Sequence, residues 1–221
     1  MSEHQDPADG ATPTAAVNPS EASIAALAQR PDDDAIIMVN LIRYRPDDGR
    51  AAYARYGAVA GGTVRARGGY PALSGSVADQ LVGGQPPDPD PAVGRETGDW
   101  ETVILVRYPR RAAYLDMQTD PAYVGAIPDR TAGLSARLLY PFHPLGGADP
   151  DDPFRIRAPG PDETLAVHLI RWNDSAEPDA AWPAGATVDL RLRADLAMVT
   201  DTRFDELVVT RCDRAIPLVE L

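Results

Sequence analysis

Ile37-Met38-Val39-Asn40-Leu41-Ile42-Arg43-Tyr44 and Leu165-Ala166-Val167-His168-Leu169-Ile170-Arg171-Trp172 are two versions of one eight-residue run. Val, Leu, Ile and Arg recur at the same offsets, and Tyr44 is answered by Trp172. Both runs are short, apolar and β-branched, which is the pattern of a buried strand. Each carries a polar side chain at the same place, Asn40 in the first and His168 in the second. The likeness predicts an internal repeat, with these runs as its leading strands.

Working outward from the first run, Pro46-Asp47-Asp48-Gly49 reads as a turn. Residues 50–67 read as a helix, with Ala52, Tyr53, Tyr56, Val59, Ala60 and Val64 at three- and four-residue steps. Gly68-Gly69 stops it. Residues 70–82 fit a second strand, 83–98 a Gly/Pro/Asp loop, and 100–108 a third strand. Pro109 opens a second helix that runs to about Thr119. Asp120-Pro121 restarts it, with Asp120 as N-cap and Pro121 at the first position. Residues 136–142 are a fourth strand. The order β-α-β-β-α-β is the split βαβ, ferredoxin-like unit, which carries its helices on one face and leaves the other apolar face bare.

Gly, Asp and Pro dominate residues 144–163, a linker, and then the pattern restarts. Residues 188–200 fit its second strand, with Val199-Thr200-Asp201 set against Val77-Ala78-Asp79. Residues 204–211 match 100–107, from Phe204 against Trp100 to Arg211 against Arg107. Residues 216–221 fit the last strand. The stretch 173–185 is too short and polar for a helix, and 212–215 leaves no room for one. The expected division is a mobile acidic tail over 1–34 with one short Ser20-capped helix, a ferredoxin-like domain over 35–143, a linker over 144–163, and a degenerate second ferredoxin-like repeat over 164–221 with its helices reduced or lost.

Composition narrows the function classes. A net charge of −12 argues against nucleic-acid and anionic-membrane partners. All the basic side chains apart from histidine are arginine, so lysine Schiff-base chemistry is excluded. Cys212 stands alone, which rules out an intramolecular disulfide and a multi-cysteine metal site. No apolar run approaches a membrane span and the N-terminus lacks a basic-then-apolar leader, so a soluble cytoplasmic protein is the expectation. No phosphate loop, dinucleotide fingerprint, serine elbow or zinc helix is present, and no acidic loop has calcium spacing. Neither a metal nor a cofactor is expected.

The candidate site residues follow from the apolar pattern. Asn40 interrupts a buried run, and either orients a substrate carbonyl or is a buried amide satisfied by neighbouring backbone. His168 in the second copy is either a general base or a satisfied core histidine between sheets. Arg43, Arg107, Arg171 and Arg211 end matching strands in both copies, which favours a structural role. Arg130 has no copy and is the better anion-binding candidate. Tyr44, Tyr53, Tyr56, Trp100, Tyr108, Tyr114 and Tyr123 concentrate in the first copy, a set that suits an aromatic ligand or ordinary core packing. By strand alternation Trp100 and Tyr108 share a face.

Residues 35–143 resemble the dimeric α/β-barrel superfamily. Within it they are most similar to a bacterial family of roughly hundred-residue domains of unknown function. The features that carry the resemblance are Val39-Asn40-Leu41, Tyr53 and Tyr56, Gly68-Gly69, the passage from Val106 to Ala112, and Asp120-Pro121-Ala122-Tyr123 followed by Arg130-Thr131-Ala132. The resemblance implies two ferredoxin-like sheets packed bare face to bare face. Here the second repeat supplies the partner sheet within one chain, an intramolecular dimeric α/β-barrel-like arrangement. A monomeric pseudo-dimer is expected, with a homodimer as the alternative. Relatives in the superfamily include cofactor-independent antibiotic-biosynthesis monooxygenases and aromatic polyketide cyclases. By that analogy the chain is a small-molecule enzyme for oxygenation, cyclisation or isomerisation of an aromatic or polyketide-like substrate, in a secondary-metabolism setting. Asn40, Tyr108, Arg130 and His168 are then the catalytic candidates, with Tyr44, Tyr53, Tyr56, Trp100 and Tyr123 as substrate-binding residues. A non-catalytic binding or accessory protein is the alternative, and a barrel that serves only assembly is a third reading; fold alone does not decide among them.

Overall fold

The computed structural model describes residues 17–78, 100–147, 154–171, 185–199 and 204–213. Along these the chain forms α1 (Glu21–Ala28), β1 (Ile36–Tyr44), α2 (Gly49–Ala66), β2 (Tyr70–Ser76), β3 (Thr102–Tyr108), α3 (Arg111–Gln118), α4 (Pro121–Gly133), β4 (Leu134–Gly147), β5 (Glu163–Ile170), β6 (Thr187–Ala194) and β7 (Glu206–Asp213). The fold is α+β. The strands make one antiparallel sheet in the order β2-β3-β1-β4-β6-β7-β5.

Local chemistry sets the element ends. Ser20 Oγ accepts the Ser23 N–H and caps α1. Asp120 Oδ1 accepts the N–H groups of Ala122 and Tyr123, so α4 starts at Pro121 as its sequence indicates. Gly68 takes a φ of 72°, the left-handed turn that ends α2. Gly133 is needed for a different reason. A Cβ there would stand 2.8 Å from Tyr53 N and 2.9 Å from Gly49 O, so only glycine lets the end of α4 meet the start of α2.

Alternation along β1 divides the core in two. Ile36 and Met38 face the helices, in a cluster with Leu27, Tyr56, Val64, Tyr108, Tyr114, Met117 and Tyr123. Ile37 and Val39 face the other way, among Leu105, Leu138, Tyr140, Phe142, Leu190, Leu192, Leu207 and Val209. This second cluster joins the two halves: side chains of β6 and β7 cover the face of β1, β3 and β4 that no described helix covers. Fully burying one such aliphatic side chain contributes about 1.5–3 kcal/mol. β4 makes the passage between the halves. It pairs with β1 through Leu134 to Phe142 and with β6 from Phe142 to Gly147.

The two strand trios β2-β3-β1 and β6-β7-β5 also agree in detail. Asn40 stands opposite Ile104 on β3, and His168 stands opposite Val208 on β7. These are the partners that the sequence match of residues 204–211 with 100–107 requires. The β2–β3 ladder shifts register between Pro71 and Leu73, and the β6–β7 ladder shifts between Val188 and Leu190. Tyr70 and Thr187 face Arg107 and Arg211, which are themselves counterparts.

Several expectations need correction. Within the tail expected over 1–34, residues 17–34 are docked rather than loose, because Val17 and Leu27 are buried apolar anchors. The linker expected over 144–163 begins inside β4 and then packs inward through Phe154 and Ile156. The second strand of the second half is β6, which ends at Ala194 and does not run on to residue 200. Leu190 therefore answers Leu73 as the first residue past the register shift, while Val199, set against Val77 by the sequence, bridges to Leu139 on β4. Trp172, most of 173–185, and the strand expected over 216–221 lie outside the described residues.

Candidate functional site

On the helix-covered side, β1, β4, α2 and α4 bring five polar or aromatic side chains together around two arginines. Arg130 on α4 is 1% exposed and Arg137 on β4 is 9% exposed. Among the described residues, neither has a carboxylate within ion-pair distance. The acceptors they use are amide, peptide and tyrosine oxygens. Arg137 donates Nε and Nη2 to Asn40 Oδ1 at 3.0 and 2.6 Å, and Nη1 to the Val17 carbonyl at 3.2 Å. Arg130 donates Nη1 to the hydroxyls of Tyr123 and Tyr56 at 2.7 and 3.2 Å, and Nε to Asn18 Oδ1 at 2.8 Å. Its guanidinium carbon lies 5.1 Å from the Tyr56 ring centroid and 5.6 Å from that of Tyr123. A buried guanidinium normally finds a carboxylate, because desolvating a lone cation is costly.

Tyrosines wall this pair of charges. Tyr44, Tyr53, Tyr56 and Tyr123 form a row with successive ring centroids 5.6, 5.3 and 6.0 Å apart, in edge-on or tilted contact. Burial pushes the Tyr53 hydroxyl up to about 12 and raises that of Tyr56 further. Tyr123 goes the other way. Burial opposes its ionisation, but the Arg130 and Arg137 charges and the Tyr56 hydrogen bond outweigh that and hold it below the ordinary phenol value. Both arginines act on Tyr53, Tyr56 and Tyr123, so the two charges share one tyrosine cluster.

The outer end of the row opens on the surface. Tyr44 lines a cleft of about 410 Å³ with Arg43, Arg45, Pro46, Asp47, Arg50 and Glu101. The Arg50 guanidinium sits 4.4 Å over the Tyr44 ring, and the Tyr44 hydroxyl donates to Thr102 Oγ1 at 3.1 Å. The cleft carries three arginines on its β1 end and rim against the carboxylates of Asp47 and Glu101, and Glu101 itself pairs with Arg50.

Of the residues expected at the site, Asn40, Tyr53, Tyr56, Tyr123 and Arg130 are brought together. Asn40 also donates Nδ2 to Met38 O at 3.2 Å and to Ile104 O at 3.5 Å, so its amide is satisfied on both ends and fixes the Arg137 fork. Tyr108 lies in the helix-side core, but its hydroxyl points to Met117 Sδ at 3.5 Å and its ring meets Tyr114 at 5.4 Å; burial raises its pKa well above normal. Trp100 packs against the core between the halves and not with Tyr108, because β3 starts only at Thr102 and alternation does not extend back to position 100. His168 is on β5, remote in the sheet order from β1, with Nε2 2.9 Å from Thr210 Oγ1. Burial lowers its pKa. Its strand neighbours Leu165, Val167 and Leu169 enter the core between the halves, which leaves His168 on the opposite face. Arg211 pairs with Asp189 at 2.5 Å and Glu163 at 3.0 Å, and Arg43 donates to Ser135 Oγ at 3.1 Å, so both strand-end arginines tie neighbouring strands together.

Sequence reading misses Arg137, Val17 and Asn18. Arg137 gives the same signal as Asn40, a polar residue in an apolar strand. The other two sit in a stretch whose composition resembles a tail.

No family model matches the chain, and no curated protein does. Among the solved structures that are similar are two crystal structures. One is of the RPA0582 protein from Rhodopseudomonas palustris, described as a structural-genomics target of unknown function; it is 29% identical, with a TM-score of 0.51 over 60% of this chain and 98% of that one. The other, of methylated RPA0582 protein, is 26% identical, with a TM-score of 0.53 over 62% of this chain and 99% of that one.

Proposed function

We propose that the chain acts on a small aromatic or polyketide-like molecule, held as an anion, without a bound cofactor. One observation carries this reading: two buried guanidiniums with amide, peptide and tyrosine acceptors, walled by tyrosines. Such a site stabilises negative charge as it develops on a substrate oxygen, and does so in a low dielectric where each donor counts for more. Tyr123 is the proton acceptor: its phenolate form, which the two arginines favour, takes a proton from an acidic substrate carbon and becomes the neutral phenol, and Arg130 and Arg137, then facing neutral protein acceptors only, hold the resulting enolate oxygen. Returning that proton to another carbon completes an isomerisation; attack by the enolate carbon on a carbonyl, with the Tyr123 proton passing to the alkoxide that forms, completes a cyclisation; its reaction with dioxygen begins an oxygenation. Asn40 is a positioning residue that acts through Arg137.

A tandem architecture goes with this reading. The matching strand order, the shared Asn40–Ile104 and His168–Val208 register and the bulge at the same place in both ladders support two ferredoxin-like repeats, the second without helical cover among the described residues. The second half then covers the bare face of the first, and a monomer is expected by light scattering.

The alternative is a binding protein with the same site and no turnover. Titrating dialysed protein with salicylate and with its neutral amide tests the site. Saturable binding of the anion alone supports it, and equal binding of both rejects it. Incubation with quinol- and polyketide-like compounds in air, with product analysis, separates enzyme from binder.

A further inference from the structure

Two of the acceptors on the arginine pair come from neither the sheet nor the helices that build the site. Val17 O on Arg137 and Asn18 Oδ1 on Arg130 belong to adjacent residues of the segment ahead of α1. We infer that this segment is a built-in occupant of the ligand site, its two oxygens standing where the two oxygens of an aromatic carboxylate bind, and that ligand and segment exclude each other. The inference rests on the anion-site reading above and names its ligand class.

The segment is attached in two places. Beyond Pro19 it is held firmly, since Ser20 caps α1, Leu27 is fully buried in the helix-side core, and Arg30 on the following turn pairs with Asp195 at 2.5 Å. On the near side a separate set of contacts holds it: the buried Val17 side chain packs in a cluster with Ile42 and Leu134, against which Tyr44, Tyr53 and Ile104 also pack, and Asn18 Nδ2 donates to Thr131 Oγ1 at 3.0 Å. Residues 17 and 18 can therefore exchange with a ligand while α1 stays docked, provided that the ligand's ring takes the apolar place of the one Val17 side chain. The exchange is also favoured electrostatically. Two neutral oxygens leave two buried positive charges uncompensated, whereas a carboxylate meets both with charge-assisted bonds. The tyrosine row supplies flat apolar walls for a ring attached to that carboxylate.

Hydrogen exchange and calorimetry on the full chain, with salicylate as the probe, test this. Ligand should speed exchange in the peptide that contains Val17 and Asn18 and leave the 21–28 peptide unchanged. Asn18→Ala, which removes the competing acceptor, should bind salicylate about tenfold more tightly than the wild type, as expected when a self-occupied fraction of sites is released. Slower exchange at 17–18 on binding, or equal affinity of wild type and Asn18→Ala, overturns the inference and leaves the anion site standing. If neither protein binds salicylate while both keep a native circular dichroism spectrum, the anion-site reading fails and this inference fails with it.

Discussion

Asn40 receives both Nε and Nη2 of Arg137 on a single amide oxygen, at 3.0 and 2.6 Å. A neutral amide thus occupies the position where a buried arginine would ordinarily meet a carboxylate, and among the described residues the guanidinium has no carboxylate partner. Asn40→Asp changes only that. The variant should fold, since the new carboxylate pairs with Arg137, and should lose salicylate affinity by about tenfold or more through cancellation of one site charge. Unchanged affinity would show that Arg137 does not serve the ligand. Asn40→Ala should instead destabilise by about 1–3 kcal/mol in urea denaturation, the cost of leaving buried donors unpaired.

Tyr123 is hydrogen-bonded to Arg130 at 2.7 Å and is the one tyrosine of the site whose pKa is held down. Tyr123→Phe should retain most ligand binding and abolish turnover of any substrate that the protein converts. Its stability should fall by about 1–2 kcal/mol, the loss of one hydrogen bond to a buried cation. Wild-type turnover in this variant would remove Tyr123 from the chemistry.

The contact between α2 and α4 depends on Gly133. Gly133→Ala drives a methyl group into backbone at 2.8–2.9 Å on both Tyr53 and Gly49, where no side chain can rotate away. A loss of about 1–3 kcal/mol, seen as a lower Tm, is the expected cost of overpacking at this crossing. Because Tyr53 and Arg130 sit on the displaced helices, salicylate binding should weaken in parallel.

His168 gives a pH signature independent of the site. Burial lowers its pKa from 6.5, so below that value the unfolded chain takes up a proton that the native protein resists. Stability is therefore fully present above about pH 6.5 and falls as pH drops towards the lower native value. His168→Gln should flatten denaturation midpoints between pH 7 and 5. An unchanged slope would mean that other groups set it.

Much of this architecture is legible in the sequence for particular reasons. The run 37–44 reads as a strand because its alternating apolar residues fill two cores at once, and the same alternation puts Asn40 on the face of Met38, which is the helix side; the run that starts at Leu165 reads as one because Leu165, Val167 and Leu169 enter the core between the halves. Asp120-Pro121 marks the start of α4 because cap and imino acid act locally. The second-strand match slips because it is anchored on the likeness of Val199-Thr200-Asp201 to Val77-Ala78-Asp79, whereas the strand itself lies upstream at Thr187–Ala194 and meets β7 with Leu190 in the place of Leu73. Trp100 is misplaced because alternation holds only inside a strand. Arg137 shows in the pattern as a polar residue in an apolar strand, but what it pairs with does not, and Asn18 sits in a stretch that reads as tail. No sequence pattern says that a buried arginine lacks a carboxylate.

The proposed anion site can be tested directly. A crystal structure with salicylate should show the carboxylate bridging Arg130 and Arg137, the ring between Tyr53, Tyr56 and Tyr123, and Val17 and Asn18 moved away. Salicylate absent from this cluster at saturating concentration, with both arginines still bound to Val17, Asn18 and Asn40, would contradict an anion site built on the two arginines.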